Sequence, residues 1–146
     1  MADVTQPNKL LPFLMFQKGD AEEAMTRYTE LFDDGRILSV ERFGADEPNA
    51  GKIRQGLFTV AGQQIQVLDS PARHAFDFTP SVSLFVRCES TQEQRRLWDS
   101  LSEGGVVLMP LGDYGFGQFG WCNDRFGVSW QLATQAVDEP RPGPQG

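Results

Sequence analysis

Apolar and polar positions alternate along this chain in short blocks, and the blocks occur twice. Leu10 to Gln17 is almost wholly apolar and too short for a stable helix, so it reads as a buried strand. Gly19-Asp20 ends it. Asp20 with Glu23 three residues on is a capping-box-like start, and Ala24, Met25, Tyr28, Leu31 and Phe32 then recur at helical spacing. This predicts an amphipathic helix over 21–32, stopped by Gly35. Strands follow over 36–43 and 52–60, separated by the loop 44–51 with its Asp46, Glu47, Pro48 and Asn49. Ala61-Gly62 turns into an alternating strand over 64–68. Asp69 to Pro80 is a crossover holding the only histidine, His74.

The pattern then restarts. Ser81 to Val86 reads as a strand, Ser90 with Glu93 as a second capping box, and Leu97, Trp98 and Leu101 as a second helix stopped at Gly104-Gly105. A strand over 106–109 and a loop over 110–117, containing Tyr114 and Phe116, lead to a terminal hairpin. In that hairpin Asp124 to Gly127 carries turn chemistry, and Val128, Trp130 and Leu132 alternate with Ser129, Gln131 and Ala133. The two helix caps lie 70 residues apart, and the two turn glycines, Gly62 and Gly127, lie 65 apart. Each glycine precedes a glutamine, Gln66 or Gln131, by four residues. The chain therefore reads as two copies of strand–helix–strand–strand–strand, an α+β protein of two βαβββ modules in tandem, each an antiparallel meander with one helix.

Composition narrows the function classes. A length of 146 residues, 40% of them hydrophobic with 11 Phe and 3 Trp, gives one domain with a real core. A net charge of −7 argues against nucleic acid or an anionic membrane as partner. Two cysteines, Cys88 and Cys122, without a paired motif fit a reducing compartment and buried core thiols. No apolar run reaches membrane-spanning length, and residues 1–9 lack the apolar core of a signal peptide, so a cytoplasmic location is expected. Residues 1–9 read as a flexible arm and the Pro/Gly-rich residues 135–146 as a disordered tail.

Gly120-Trp121, followed by Asp124-Arg125-Phe126-Gly127-Val128-Ser129-Trp130-Gln131, resembles the PhnB-like branch of the vicinal oxygen chelate superfamily. Pro12-Phe13-Leu14-Met15-Phe16, then Ala21-Glu22-Glu23-Ala24-Met25 and Tyr28, resemble the same branch. That superfamily includes glyoxalase I, extradiol dioxygenases and fosfomycin and bleomycin resistance proteins, and this branch carries a 3-demethylubiquinone-9 3-methyltransferase label. The resemblance implies one glyoxalase/bleomycin-resistance-like domain over 10–134, with module one at 10–69, a crossover at 70–80 and module two at 81–134. It also implies that the modules curl into an antiparallel sheet around a cleft, with helices on the outer face, and that the protein is a homodimer.

Strand alternation then nominates the cleft-lining residues: Phe13 and Met15, Gln66, Ser81 and Ser83, Trp121 and Gln131, with Tyr114 and Phe116 as a lip over the opening. Metal-dependent members of the superfamily hold a divalent ion on His, Glu or Gln from four strands. The matching positions here fall near Phe13, Gln66, Ser81 and Gln131. Phe cannot ligate, Ser is a poor ligand and two neutral Gln supply no charge, so neither a metal nor another cofactor is expected. The leading expectation is a small-molecule-binding protein with no intact catalytic set. Alternatives are a metal-dependent glyoxalase, dioxygenase or thiol transferase, a methyltransferase as the label suggests, and a purely structural homodimer. No strand leads through a Gly-rich turn into a helix in the way a nucleotide-like methyl donor requires.

Overall fold

The structure, a computed structural model, describes residues 6–134, so the expected tail at 135–146 and the first half of the expected arm lie outside the described residues. Two compact units meet in sequence at Asp77 and Phe78.

Unit 1 runs β1 (Phe13–Phe16), α1 (Ala21–Leu31), β2 (Arg36–Arg42), β3 (Ile53–Val60) and β4 (Gln63–Asp69). Its four strands lie in the order β1-β4-β3-β2. β2, β3 and β4 form the expected antiparallel meander, but β1 lies parallel to β4, Phe13 opposite Gln66. The sheet is therefore mixed, which corrects the wholly antiparallel expectation. The helical crossover from β1 carries the chain away from its neighbours, and the unused edge of the last strand is the one left to pair. One face of the sheet, with Phe58, Ile65 and Val67, packs beneath Ala24, Met25 and Tyr28, all buried. Close approach is possible because Gly56 has no side chain: a Cβ there would lie 2.8 Å from both Met25 Sδ and Val67 Cγ2.

Unit 2 repeats this plan with β5 (Leu84–Cys88), α2 (Thr91–Ser102), β6 (Val106–Asp113), β7 (Gln118–Asn123) and β8 (Ser129–Thr134). The order is β5-β8-β7-β6, again with the first strand parallel to the last. Gly120 takes the place of Gly56, its missing Cβ leaving room for Trp98 Cζ3 at 2.7 Å. Gln94 is buried in the helix–sheet layer, where its Nε2 donates to Gln118 O and Leu132 O, both at 3.0 Å. Each unit thus carries its own four-stranded sheet and one helix, the α+β tandem plan that the sequence predicts.

Ser90 Oγ caps α2 by accepting from Glu93 N, while Glu93 reaches Glu89 N rather than closing the box on Ser90. Asp20 makes no side-chain cap to α1. The cap comes instead from a distant residue, Asp69, whose buried carboxylate accepts Ala21 N. Burial, followed by repulsion from Asp69, pushes the Asp20 carboxyl above its ordinary value. The loop expected over 110–117 begins later, because β6 continues through Pro110 to Asp113. Proline is tolerated there because β6 is an edge strand with register irregularities on either side of Met109. β5 starts at Leu84, not Ser81, so the segment over 81–83 is turn and extended chain. Within the expected arm, Gln64 holds the chain through Asn8 N to its Oε1 and its own Nε2 to Gln6 O, both at 2.7 Å. No helix among the described residues is long and apolar enough to cross a membrane.

Candidate functional site

In each unit one sheet face is covered by its helix, and the other face is free of that helix. In unit 1 that second face includes Phe13 and Met15 on β1, Gln66 on β4 and Leu57 on β3. Phe13 stands opposite Gln66, and Gln66 opposite Leu57. Phe13 is 55% exposed although it sits on a strand. Among the described residues the Gln66 side chain makes no hydrogen bond, while its backbone N donates to Pro12 O at 3.0 Å. The expected placement of Phe13, Met15 and Gln66 on one face agrees with this register.

In unit 2 the equivalent face is a grid of three rows. The first holds Ser83, Ser129 and Asn123. Trp121 Nε1 donates to Ser129 Oγ at 2.8 Å, and Asn123 Oδ1 is buried without a hydrogen-bond partner. The middle row runs Phe85, Gln131, Trp121, Met109 across β5, β8, β7 and β6. Gln131 Nε2 donates to Ser83 Oγ at 2.7 Å. This bond ties the start of β5 to β8 and fixes which way the amide points, leaving Gln131 Oε1 as the acceptor on the open side. The third row holds Arg87, Ala133 and Phe119. Tyr114 and Phe116 stack on each other with centroids 6.3 Å apart, and both meet Phe119 edge-on, at 6.0 and 5.5 Å. Tyr114 is held in place by donating its hydroxyl to Pro110 O at 2.6 Å. Tyr114 and Phe116 thus form an aromatic cluster built on the third row, with Gly115 and Gly117 at φ +94° and +114° turning the chain between and after the two rings.

Ser83, Trp121 and Gln131 therefore come together, and Tyr114 and Phe116 join a neighbouring cluster. Ser81 does not. It lies in a turn, where its backbone and hydroxyl meet Thr79 Oγ1, the hydroxyls 3.2 Å apart. The residue opposite Gln131 is Phe85, just as Phe13 is opposite Gln66. Phe85 is 53% exposed, close to its counterpart. The sequence reading placed the strand three residues too early because Ser81-Val82-Ser83 continues the alternation without a break. Phe119 was missed as the floor of the aromatic cluster, and the Phe-Gly before Trp121 is the signal that was available.

In unit 1 Phe13 thus stands opposite Gln66, and in unit 2 Phe85 opposite Gln131, a phenyl ring beside a neutral amide in each. Among the described residues, no three His, Cys, Asp or Glu side chains gather where they could share a metal ion. His74 stacks on Phe76 in the crossover, with centroids 4.9 Å apart, and its Nε2 lies 3.3 Å from Ser70 Oγ. Gln17 fastens this segment at both ends, accepting His74 N and donating to Phe76 O, each at 2.7 Å. Cys88 and Cys122 are buried, and burial pushes both thiols up to about 12, so neither is a nucleophile near neutral pH.

Residues 8–133 match the family described as 3-demethylubiquinone-9 3-methyltransferase. Among solved structures, the chain is 45% identical to a putative 3-demethylubiquinone-9 3-methyltransferase, PhnB protein, from Bacillus cereus, over 87% of this chain and 99% of that one, with a TM-score of 0.84. It is 28% identical to protein PA1353 from Pseudomonas aeruginosa, over 88% and 98% of the two chains, with a TM-score of 0.75. A glyoxylase/bleomycin resistance protein/dioxygenase domain from Frankia sp. EAN1pec shares the fold at 14% identity, covering 92% and 96%, with a TM-score of 0.63. No curated protein matches.

Proposed function

Because the chain belongs to the 3-demethylubiquinone-9 3-methyltransferase family, of the PhnB type and with the tandem glyoxalase-like fold, we propose that it binds a small, largely apolar molecule on the helix-free face of unit 2, without a metal. The observation that carries this reading is the Gln131–Ser83 hydrogen bond at 2.7 Å beside Trp121 and an exposed Phe85. An oriented amide among aromatic surfaces is the usual make-up of a small-molecule site, in which a few fixed polar groups select among apolar ligands.

The methyl donor implied by the family description does not fit these residues. A Gly-rich turn leading from a strand into an open helix N-terminus is the arrangement that cradles a nucleotide-like cofactor. Here Asp69 occupies Ala21 N at the start of α1, and Ser90 occupies Glu93 N at the start of α2. Both helices begin against acidic or hydroxyl groups of the chain itself. A metal-dependent isomerase or dioxygenase reading is disfavoured because no three His, Cys, Asp or Glu side chains gather among the described residues.

Trp fluorescence tests the proposal. Titration with a panel of small aromatic and alicyclic compounds is expected to give a saturable change in the wild type, which Trp121→Phe abolishes and Gln131→Ala weakens. A panel without one saturable response would sink the reading. Calorimetry with S-adenosylmethionine is expected to show no binding heat. We also propose a cytoplasmic homodimer. Exposed apolar side chains on the edge strand β6, Val106, Val107 and Leu108, support pairing. A monomer in light scattering at micromolar concentration would contradict it.

A further inference from the structure

The two modules offer an internal comparison. Phe13 and Gln66 in unit 1 correspond to Phe85 and Gln131 in unit 2. One step further along the same strands, Met15 opposite Leu68 corresponds to Arg87 opposite Ala133. Fold, register and the preceding pair are the same. Unit 1 has two bulky apolar side chains at this step, and unit 2 has a cation beside a small residue.

Arg87 is not explained by the charges around it. The chain has 20 Asp and Glu against 13 Lys and Arg, so a surface arginine has abundant carboxylates to meet. Arg54 meets two of them, Glu41 at 3.2 Å and Glu47, and rests on Phe43. Arg87 has no carboxylate partner among the described residues. Its guanidinium lies 5.9 Å from the centre of the Phe85 ring and makes no side-chain hydrogen bond among them. It is also the only cation among the described residues on the helix-free strand face of unit 2. Arg95, Arg96 and Arg125 lie on α2 or in the hairpin turn. Beside it in register are Ala133 and then Phe119, which carries Tyr114 and Phe116. The small Ala133 leaves a step between a planar cation and an aromatic cluster.

Resting on the reading of this face as a ligand site, we propose that the ligand is an organic anion: an aromatic or alicyclic body carrying a carboxylate or similarly planar oxyanion, which Arg87 receives. The guanidinium offers paired N–H donors that match a carboxylate's two oxygens. The body lies over Ala133 towards Phe119 and the lip, with Gln131 Oε1 taking any hydroxyl on the ligand. The Phe85 ring under Arg87 holds the guanidinium in the plane of the face.

The test uses 1-naphthoate and its uncharged analogue 1-naphthamide, with the full chain and Trp121 emission as readout. Naphthoate is expected to bind the wild type roughly tenfold tighter than the amide, as one charge-assisted hydrogen-bonded contact implies. Arg87→Gln is expected to erase the preference, chiefly by weakening naphthoate, while Arg87→Lys keeps part of it. Arg87 is exposed, so these variants are expected to fold, which circular dichroism checks. Equal binding of the two probes to the wild type, or a preference that survives in Arg87→Gln, would overturn the anion assignment and leave the proposed site standing. No response to either probe in the wild type would overturn both.

Discussion

The carboxylate of Asp69, the last residue of β4, accepts the backbone amide of Ala21, the first residue of α1, at 2.9 Å. Its second oxygen accepts Ile53 N at 2.9 Å, and the side chain is almost fully buried. One residue thereby fastens the helix start, the opening of β3 and the end of β4. Asp69→Ala is expected to lose at least about 3 kcal/mol, since two buried amides lose a charged acceptor. Asp69→Asn is expected to lose less, because one oxygen remains. Urea denaturation with an unchanged slope and a lowered midpoint is the measurement.

Gly56 and Gly120 are the second paired device. A methyl at Gly56 meets Met25 and Val67, and one at Gly120 meets Trp98 Cζ3, Trp98 Cε3 and Leu111 Cδ1, the last at 3.1 Å. Each Gly→Ala change is expected to destabilise by about 1–3 kcal/mol through overpacking. Only Gly120→Ala is expected to alter the near-ultraviolet signal of Trp98, which separates the two effects.

How the sequence conveyed these features follows from how local each one is. The tandem βαβββ plan was readable because apolar spacing and turn glycines are written over a few neighbouring residues. Ala61 and Gly62 at φ +50° and +77° make a hairpin turn of the expected kind. Asp124 accepts Phe126 N, Val128 N and Trp130 Nε1, consistent with an Asp-led turn. The α1 cap was not readable, because its acceptor lies 48 positions from Ala21. The parallel docking of β1 on β4 was hidden for the same reason, since alternation specifies a face and not a partner. On the candidate face, alternation put Ser83 and Gln131 on one side, where they hydrogen-bond, but could not show that β5 begins only at Leu84, so that Phe85 and not Ser81 stands opposite Gln131.

The thiols give a pH prediction. Burial, with Glu93 near Cys88 and Asp124 near Cys122, raises both to about 12 from an ordinary value near 9.0. An unfolded thiol ionises near pH 9 while the folded one stays neutral, so the contribution to stability is intact below pH 9 and is lost as pH rises from 9 to 12. The thermal midpoint is expected to fall across that window, and to fall less in Cys88→Ala/Cys122→Ala. Ellman's reagent at pH 8 is expected to titrate both thiols in denaturant and to react slowly with the folded chain.

Metal addition gives a further prediction. A ligand at a hundredfold over its Kd adds about 2.7 kcal/mol, or on the order of 5–10 °C at this chain length. Chelator-treated protein is expected to show no such shift with Mg²⁺, Mn²⁺, Ni²⁺ or Zn²⁺, since no three His, Cys, Asp or Glu side chains gather among the described residues. A shift of that size would reopen the metal-dependent reading.

The parallel pairing of first strand with last has a consequence in time as well as in space. β1 cannot find its neighbour, and α1 cannot receive its cap, until the chain has been made and folded as far as Asp69. Closing so long a segment before any of its contacts form is slow relative to hairpin formation. The β3–β4 hairpin, with its two-residue turn, is therefore the natural nucleus of unit 1, and β7–β8 that of unit 2. Pulse-labelled hydrogen exchange during refolding is expected to protect β3–β4 amides first, and Ala21 together with the β1-paired amides afterwards. Early protection of Ala21 alone would contradict this order. A newly made chain would thus complete each module from its end backwards, the oldest strand being the last to settle.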